Sequence, residues 1–267
     1  MNHNFKKNYG QNFLKNGKFV HILTDALDLQ ESDTVIEVGT GEGIVTNNLI
    51  NSGAKVMSVE IDYSLVPNLI KRFGDKSNFE VFNEDFLTID LTSALDKIGS
   101  GSDVKASGSL PYNISKKIIK KLIDFNLSQD KYFISKMSFI VQDEVAKEYV
   151  TKAPRASFLS NYIRLYADVK KLESIPASQF YPMPKVNGAI LLIQPKKEIP
   201  EDVDEIYKFI RLGYSSPRKT LLKNLKNSNK WSKETLENAF NGLGISLTAR
   251  AAELEENVWI ELFKKLD

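Results

Sequence analysis

The residues with chemistry to offer begin at Glu37. The run Glu37-Val-Gly39-Thr-Gly41-Glu-Gly43 follows a β-branched stretch, Thr34–Val38, and opens a stretch of helical spacing from about Ile44 to Ser52. Glycine lets the backbone turn sharply and lets a ligand approach closely. A dinucleotide turn would read GxGxxG, with a helix N-terminus aimed at pyrophosphate. Here the spacing is GxGxG and an acid precedes it. Glu60 stands at the end of the next predicted strand, Lys55–Ile61, 21 residues after Gly39. A carboxylate there can accept hydrogen bonds from both hydroxyls of a ribose. Asp85 follows the third predicted strand, in position to receive an adenine amino group. Such a turn, with acids after strands two and three, suits a nucleoside ligand that carries no phosphates. An acid-lined pocket also suits a cation, and S-adenosyl-L-methionine, a sulfonium nucleoside, is both. The plain alternatives are a glycine-rich turn and nothing more, a solvated strand end at Glu60, and a helix N-cap at Asp85.

A second segment, Gly108-Ser109-Leu110-Pro111-Tyr112-Asn113-Ile114-Ser115, follows the fourth predicted strand. A Pro-Tyr pair after a strand offers a rigid turn, exposed carbonyls and an aromatic face. The segment resembles the [DNS]-[PIL]-P-[YFW] loop of methyltransferases that act on amino nitrogens. An adenine amino lone pair is delocalised into its ring and is a poor nucleophile. Acceptors in the loop can hold its hydrogens, and a ring can stack on the extruded base. The work is positioning, without a strong base.

These segments need a scaffold. Predicted strands at Thr34–Val38, Lys55–Ile61, Phe79–Phe82, Asp103–Ser107 and Met137–Gln142 alternate with predicted helices at Ile44–Ser52, Leu65–Phe73 and Ile114–Phe125, which implies a parallel α/β sheet. Late strands at Ala167–Ser174 and Ala189–Gln194 suit an antiparallel edge. After Pro195 the stretch PKKEIPED reads as a linker. Beyond it, Ile206/Phe209/Ile210, Leu221/Leu222/Leu225, Leu236/Phe240 and Trp259/Leu262/Phe263 follow helical spacing. The expected division is a catalytic domain over 1–195 and a helical domain of four or five helices over 196–267.

Composition sets the outer limits. The chain has 267 residues, 42% hydrophobic and 26% charged, which fits a globular protein with a sizeable core. The absence of cysteine rules out disulfides, a thiol nucleophile and thiolate metal ligands. His3 and His21 are too isolated to suggest a metal cluster. No apolar run approaches the roughly 18–20 residues that span a bilayer, and the polar start lacks the apolar centre of a secretory signal, so a cytoplasmic protein is expected. The net charge of +2 hides three basic clusters. Residues 1–21 hold Lys6, Lys7, Lys15 and Lys18 with no acid. Residues 115–136 hold six lysines against Asp124 and Asp130, and residues 211–233 hold seven basic residues and no acid. A single charge run is usually a solvated face, but three of them point to a polyanion partner. Lys116, Lys117, Arg218, Lys219 and Lys223 are the candidate RNA contacts.

Gln11-Asn12-Phe13-Leu14, the VIEVGTGEG turn, VEID at 59–62, NED at 83–85, LPYNIS, VQDEVA at 141–146, FYPMPKV at 180–186, RKTL at 218–221 and RAAEL at 250–254 lie along nearly the whole chain. Together they resemble the ribosomal RNA adenine N6-dimethyltransferase family, and within it the bacterial KsgA-type small-subunit branch. The resemblance implies a Rossmann-like sheet with a small all-helical C-terminal domain. It implies an S-adenosyl-L-methionine-dependent monomer that dimethylates N6 of two adjacent adenosines near the 3′ end of small-subunit rRNA, within a ribosomal subunit precursor. By position, Asn12 and Leu14 would close over the cofactor. Gly39 would contact its methionine part, Glu60 its ribose, and Asp85 with Phe86 its adenine end, with Gly41 and Ile61 as further cofactor-binding residues. Ser109 and the Leu110 carbonyl would hold the target amino group, Tyr112 would stack on the target adenine, and Phe180 would cover the other face. Two departures stand out. Ser109 occupies a position where the family usually has Asn, and Pro217 one where the bacterial pattern has another Arg. The alternatives are adenine methylation of large-subunit rRNA of the erythromycin-resistance type, a DNA adenine methylase, and a non-catalytic RNA-binding assembly factor.

Overall fold

The computed structural model describes residues 12–267. The motif residue Gln11 and the cluster residues Lys6 and Lys7 lie outside them, as does His3. The described chain runs β1 (Phe13–Leu14), α1 (Gly17–Asp25), β2 (Thr34–Val38), α2 (Ile44–Asn51), β3 (Lys55–Val59), α3 (Val66–Phe73), β4 (Phe79–Phe82), α4 (Leu91–Lys97), β5 (Asp103–Ser109), α5 (Ser115–Ser128), β6 (Phe133–Gln142), α6 (Asp143–Val150), α7 (Phe158–Tyr166), β7 (Ala167–Ile175), β8 (Phe180–Tyr181), β9 (Gly188–Pro195), α8 (Val203–Gly213), α9 (Leu221–Lys226), α10 (Lys233–Gly242) and α11 (Glu256–Leu266).

Seven of these strands form one sheet in the order β4-β3-β2-β5-β6-β9-β7. β2 to β6 pair in parallel, and β9 pairs antiparallel with β6. The sheet is the expected mixed α/β architecture, with its antiparallel member near one edge. β2 is buried along its whole length, as a central strand covered on both faces must be. The strand order reverses between β2 and β5. In an open α/β sheet that reversal leaves a crevice at the carboxyl ends of the strands, the usual place for a ligand. β1 and β8 form a separate antiparallel ribbon, with Phe13 opposite Tyr181 and Leu14 opposite Phe180.

The described residues group into two compact units. The first takes the residues up to Ala146 and Lys170–Pro195, and the second takes Lys147–Val169 and Lys196–Asp267. The expected change at 195/196 is one of the boundaries. Residues 147–169, expected in the catalytic domain, belong to the helical unit instead. The reason is aromatic packing: Phe158 on α7 lies against Tyr207 and Tyr214 of the C-terminal segment and Tyr162 against Tyr207, with ring centroids 5.3–5.9 Å apart. Asn161 completes the join by donating to the Tyr214 hydroxyl at 3.0 Å and to the Leu254 carbonyl at 3.2 Å. Within the second unit α8 to α11 are the four α-helices after residue 195, as the apolar spacing predicts.

Candidate functional site

A cavity of about 1080 Å³ opens at the carboxyl ends of β2, β3, β4 and β5. Its size is in the range of small-molecule sites. One wall is the glycine turn after β2. Gly41 has φ +55°, and a Cβ there would sit 2.8 Å from Cε1 of Phe13, so the turn needs glycine both for its dihedral and for the ring lying against it. Gly39 faces the other wall, since a Cβ on it would lie 3.9 Å from the Ser109 carbonyl oxygen. The two motifs singled out in the sequence therefore meet across the crevice.

Glu60 is 4% exposed. Its two carboxylate oxygens accept from the Gly41 amide at 2.9 Å and the Asp62 amide at 2.8 Å. Strand β3 ends at Val59, so Glu60 and Ile61 stand in the loop after the strand expected to hold them. Burial raises the Glu60 pKa above the ordinary carboxylate value, even though the amides oppose it. Each oxygen keeps acceptor capacity beyond its one amide. Asp85 accepts from the Leu87 amide at 2.8 Å, and its carbonyl accepts from Thr88 and Ile89. It fills the local turn-capping role and lines the cavity at the same time. Phe86 beside it is held by Lys121, whose ammonium donates to the carbonyls of Phe86 and Ile89 at 2.8 and 2.6 Å.

Beneath the glycine turn Glu37 is completely buried. It accepts from Thr46 at 2.9 and 3.0 Å and from Ser58 at 2.5 Å. Burial pushes its carboxyl up to about 7, against the lowering effect of both hydroxyls. Thr40, between the two turn glycines, lines the cavity, and its buried hydroxyl has no hydrogen-bond partner among the described residues. An orphaned donor of this kind fits a polar ligand group.

The second wall is Ser109-Leu110-Pro111-Tyr112. Gly108 has φ +149°, and a Cβ there would collide with the Val38 carbonyl, so glycine lets β5 come close enough to β2 to present this loop. The Leu110 amide donates to the Ile140 carbonyl at 2.9 Å, and Ile114 closes the turn on the Pro111 carbonyl at 3.1 Å. Burial pushes the Tyr112 hydroxyl up to about 12. At neutral pH it stays protonated, so the ring is a surface and not a base.

All the expected cofactor residues, Asn12, Leu14, Gly39, Gly41, Glu60, Ile61, Asp85, Phe86 and Ser109, line this one cavity, as do Leu110 and Tyr112. Phe180 does not. It is 1% exposed and packs in the core with Leu14 and Ile190, because β8 alternates and turns this residue inward. Sequence reasoning missed Phe13, Thr40 and Arg72 as lining residues. Phe13 and Thr40 had a signal, their places inside the quoted QNFL and VIEVGTGEG motifs; Arg72 had none. The Arg72 guanidinium donates to the Glu42 carbonyl and lies over the Phe73 ring, 4.7 Å from its centroid.

The basic candidates divide. Lys116 and Lys117 are exposed at the start of α5, next to the Tyr112 loop. Arg218, Lys219 and Lys223 are exposed in the second unit. There Asn224, itself buried, donates to the carbonyls of Gly213 at 2.6 Å and Ser216 at 3.1 Å, which fixes the turn carrying Arg218 and Lys219.

Known proteins match the chain over its length. The family model described as ribosomal RNA adenine dimethylase matches residues 2–267. The ribosomal RNA small subunit methyltransferase A of Mycoplasma mobile is 31% identical over 270 residues, covering 100% of both chains. That of Dehalococcoides mccartyi is 33% identical over 260 residues, covering 96% of this chain and 87% of the relative. Among solved structures, the 23S rRNA methyltransferase ErmE is 24% identical with a TM-score of 0.78, covering 96% of this chain and 100% of that one. A dimethyladenosine transferase from Plasmodium falciparum is 24% identical with a TM-score of 0.76, covering 94% and 95%. At these identities the two structures establish the fold.

Proposed function

Because this chain belongs to the ribosomal RNA adenine dimethylase family, we propose that it dimethylates N6 of two adjacent adenosines near the 3′ end of small-subunit rRNA. The observation that carries the reading is the meeting of the glycine turn, Glu60 and the Ser109–Tyr112 loop around one cavity. S-adenosyl-L-methionine, when bound, supplies a methyl group on a sulfonium that is open to direct displacement by an amino nitrogen. Glu60, held by the Gly41 and Asp62 amides, is the residue to accept from the ribose. Thr40 offers an unpaired hydroxyl, and Asp85 with Phe86 bounds the adenine end. Glu60, the carboxyl that lines the cavity, favours a cation over a neutral ligand in its ionised form, since charge interactions strengthen where water is excluded.

On the target side, Ser109 and the Leu110 carbonyl serve as acceptors for the amino hydrogens. A serine hydroxyl accepts as an amide oxygen does, with a shorter reach. Tyr112 supplies the stacking face. Because its hydroxyl stays protonated at neutral pH, its contribution is orientation of the nitrogen. The exposed Lys116 and Lys117, together with Arg218, Lys219 and Lys223, are the phosphate contacts in this reading. No described helix is long and apolar enough to cross a membrane. We place the protein in the cytoplasm, as a monomer acting on a ribosomal subunit precursor, because that is where such a substrate is found. The relatives at 31% and 33% identity are named for the small subunit, which favours that RNA over the large-subunit alternative.

The test is incubation with labelled S-adenosyl-L-methionine and small subunits lacking these methyl groups, followed by mass spectrometry of the RNA. Two dimethyladenosines in the small-subunit RNA are expected. None there, or product only on large-subunit RNA in a parallel reaction, refutes the proposal.

A further inference from the structure

The ribbon of β1 and β8 separates an interior aromatic from an exterior one. Phe180 points into the core, and Tyr181, its neighbour on β8, is 54% exposed. Tyr181 is paired directly opposite Phe13, whose ring lies against Gly41 at the cavity wall. Tyr181 therefore stands one strand away from the cavity's edge. Met183, two residues on, is 68% exposed, and Lys185 is exposed as well. Pro182 and Pro184 fix the backbone between them. The base of this segment is clamped by Asn187, whose side chain accepts from the Ala177 amide at 3.0 Å and whose carbonyl accepts from the Asp143 amide at 2.9 Å. Lys15, on the β1 side, carries its ammonium 5.0 Å from the centre of the Tyr181 ring. Its own amide is tied to the Gln179 carbonyl at 2.9 Å.

A rigidly held, outward-facing aromatic ring with a cation beside it is the chemistry that receives single-stranded nucleic acid. The ring takes a base face and the ammonium takes the phosphate. The occupant follows from place and charge. When one adenine enters the cavity, the next nucleotide along the strand is left at its rim with its base unstacked. We propose that Tyr181 is the stacking platform for that neighbouring nucleotide, with Lys15 on its phosphate and Met183 extending the apolar surface. Tyr181 is a positioning residue, since it acts on the nucleotide beside the reacting one. In the reading of the preceding subsection, on which this rests, that neighbour is the second adenosine of the pair, so the platform also governs how the strand is presented for the second site.

The experiment uses the full chain and unmethylated small subunits, with Tyr181→Ala, Tyr181→Leu and Tyr181→Phe. Tyr181→Ala and Tyr181→Leu are expected to raise KM for the subunit about tenfold, with kcat nearly unchanged and S-adenosyl-L-methionine affinity by calorimetry unchanged. Tyr181→Phe, which keeps the ring, is expected to retain the wild-type KM. Lys15→Ala is expected to reduce the slope of log affinity against log salt by about one phosphate's worth. An unchanged KM in Tyr181→Ala overturns the platform. So does a wild-type KM in Tyr181→Leu, which would make the contact merely apolar, or a loss in Tyr181→Phe equal to that of alanine, which would assign it to the hydroxyl. Absence of product with the wild-type protein refutes the function itself and is thereby distinguished from failure of the platform alone.

Discussion

The two units handle charge in opposite ways. Around and beneath the cavity of the first, the carboxyl groups of Glu37, Glu60 and Asp62 are buried, and backbone amides and hydroxyls hold them. On the second, Arg218, Lys219 and Lys223 lie in water, and what is buried beneath them is the aromatic and aliphatic set Phe209, Leu221, Leu225 and Trp259 together with the amide of Asn224. Buried charge has its energy set by its immediate partners, so the exact residue matters. Charge in water acts by number and spacing, and it is screened by salt. The first unit surrounds its cavity with buried acceptors, and the second presents exposed cations to solvent.

The largest expected effects test whether close approach is equally strict in both. Gly108→Ala puts a Cβ against the Val38 carbonyl, at a dihedral that L residues rarely adopt. Backbone cannot step aside, so a loss of about 4 kcal/mol is expected, read as a fall in Tm of roughly 10 °C by calorimetry. Gly213→Ala, at the end of α8, meets the side chains of Trp259 and Leu221, the latter at 2.8 Å. Side chains can repack, and a smaller loss of about 2 kcal/mol is expected. If the second variant proves the more costly, the first unit is not the stricter one.

Glu60→Ala comes next. It removes the proposed ribose acceptor and frees the Gly41 and Asp62 amides. S-adenosyl-L-methionine affinity is expected to fall by about 2–3 kcal/mol, roughly 30- to 150-fold, while affinity for small subunits changes little. Equal loss of both, measured by calorimetry and by filter binding, would make Glu60 a structural residue.

How much of this was legible beforehand differs between the units for the same physical reason. The strand at 34–38 and the GxGxG turn were readable because local sequence dictates them: a β-branched run makes a buried strand, and φ values of +74° and +55° favour glycine. The lysine cluster at 115–136 was readable only as a count. In the structure Lys120 pairs with Asp124, Lys131 with Asp96 and Lys136 with Asp28, and Lys121 holds carbonyls. Those partners come from as far as 108 residues away in the case of Asp28, a separation no window sees. The same limit hid α7 in the helical unit, because its aromatic partners lie beyond residue 200. It also put Phe180 forward over Tyr181, where strand pairing shows that Phe180 faces in and Tyr181 out.

Glu37 sharpens the contrast through pH. Its folded carboxyl holds a proton up to about 7, whereas the unfolded chain gives it up near 4.5. Between those values unfolding releases a proton. The stability is therefore fully present below about 4.5 and is lost as pH rises to about 7. Glu37→Gln keeps an oxygen acceptor for Thr46 and Ser58 and removes the titration. It is expected to flatten most of that fall and to stabilise the cofactor-free protein by about 1–3 kcal/mol at pH 8. Denaturant titrations at pH 5, 6, 7 and 8 give the slope directly. A slope equal to wild type would assign the dependence to another group, of which Glu60, also raised by burial, is the nearest.

The smallest effect belongs to the exposed face, and it is the one that separates the two uses of charge. Arg218 and Lys219 sit on a turn whose shape is fixed by Asn224 from inside, so replacing them leaves the turn in place. Each replacement by alanine is expected to weaken binding to small subunits only a few-fold near 0.15 M salt and to lower the slope of log affinity against log salt by about 0.7–0.9, the share of one phosphate. The double variant should lower it by about twice that, because the slope counts the phosphates neutralised. Neither variant should move Tm or S-adenosyl-L-methionine affinity. Asn224→Ala is the control. It removes the two carbonyl contacts, so it should lower Tm and disturb RNA binding together. If Arg218→Ala behaves like Asn224→Ala, the arginine is part of the turn's structure, and the division between an inside that determines shape and an outside that counts phosphates does not hold for this unit.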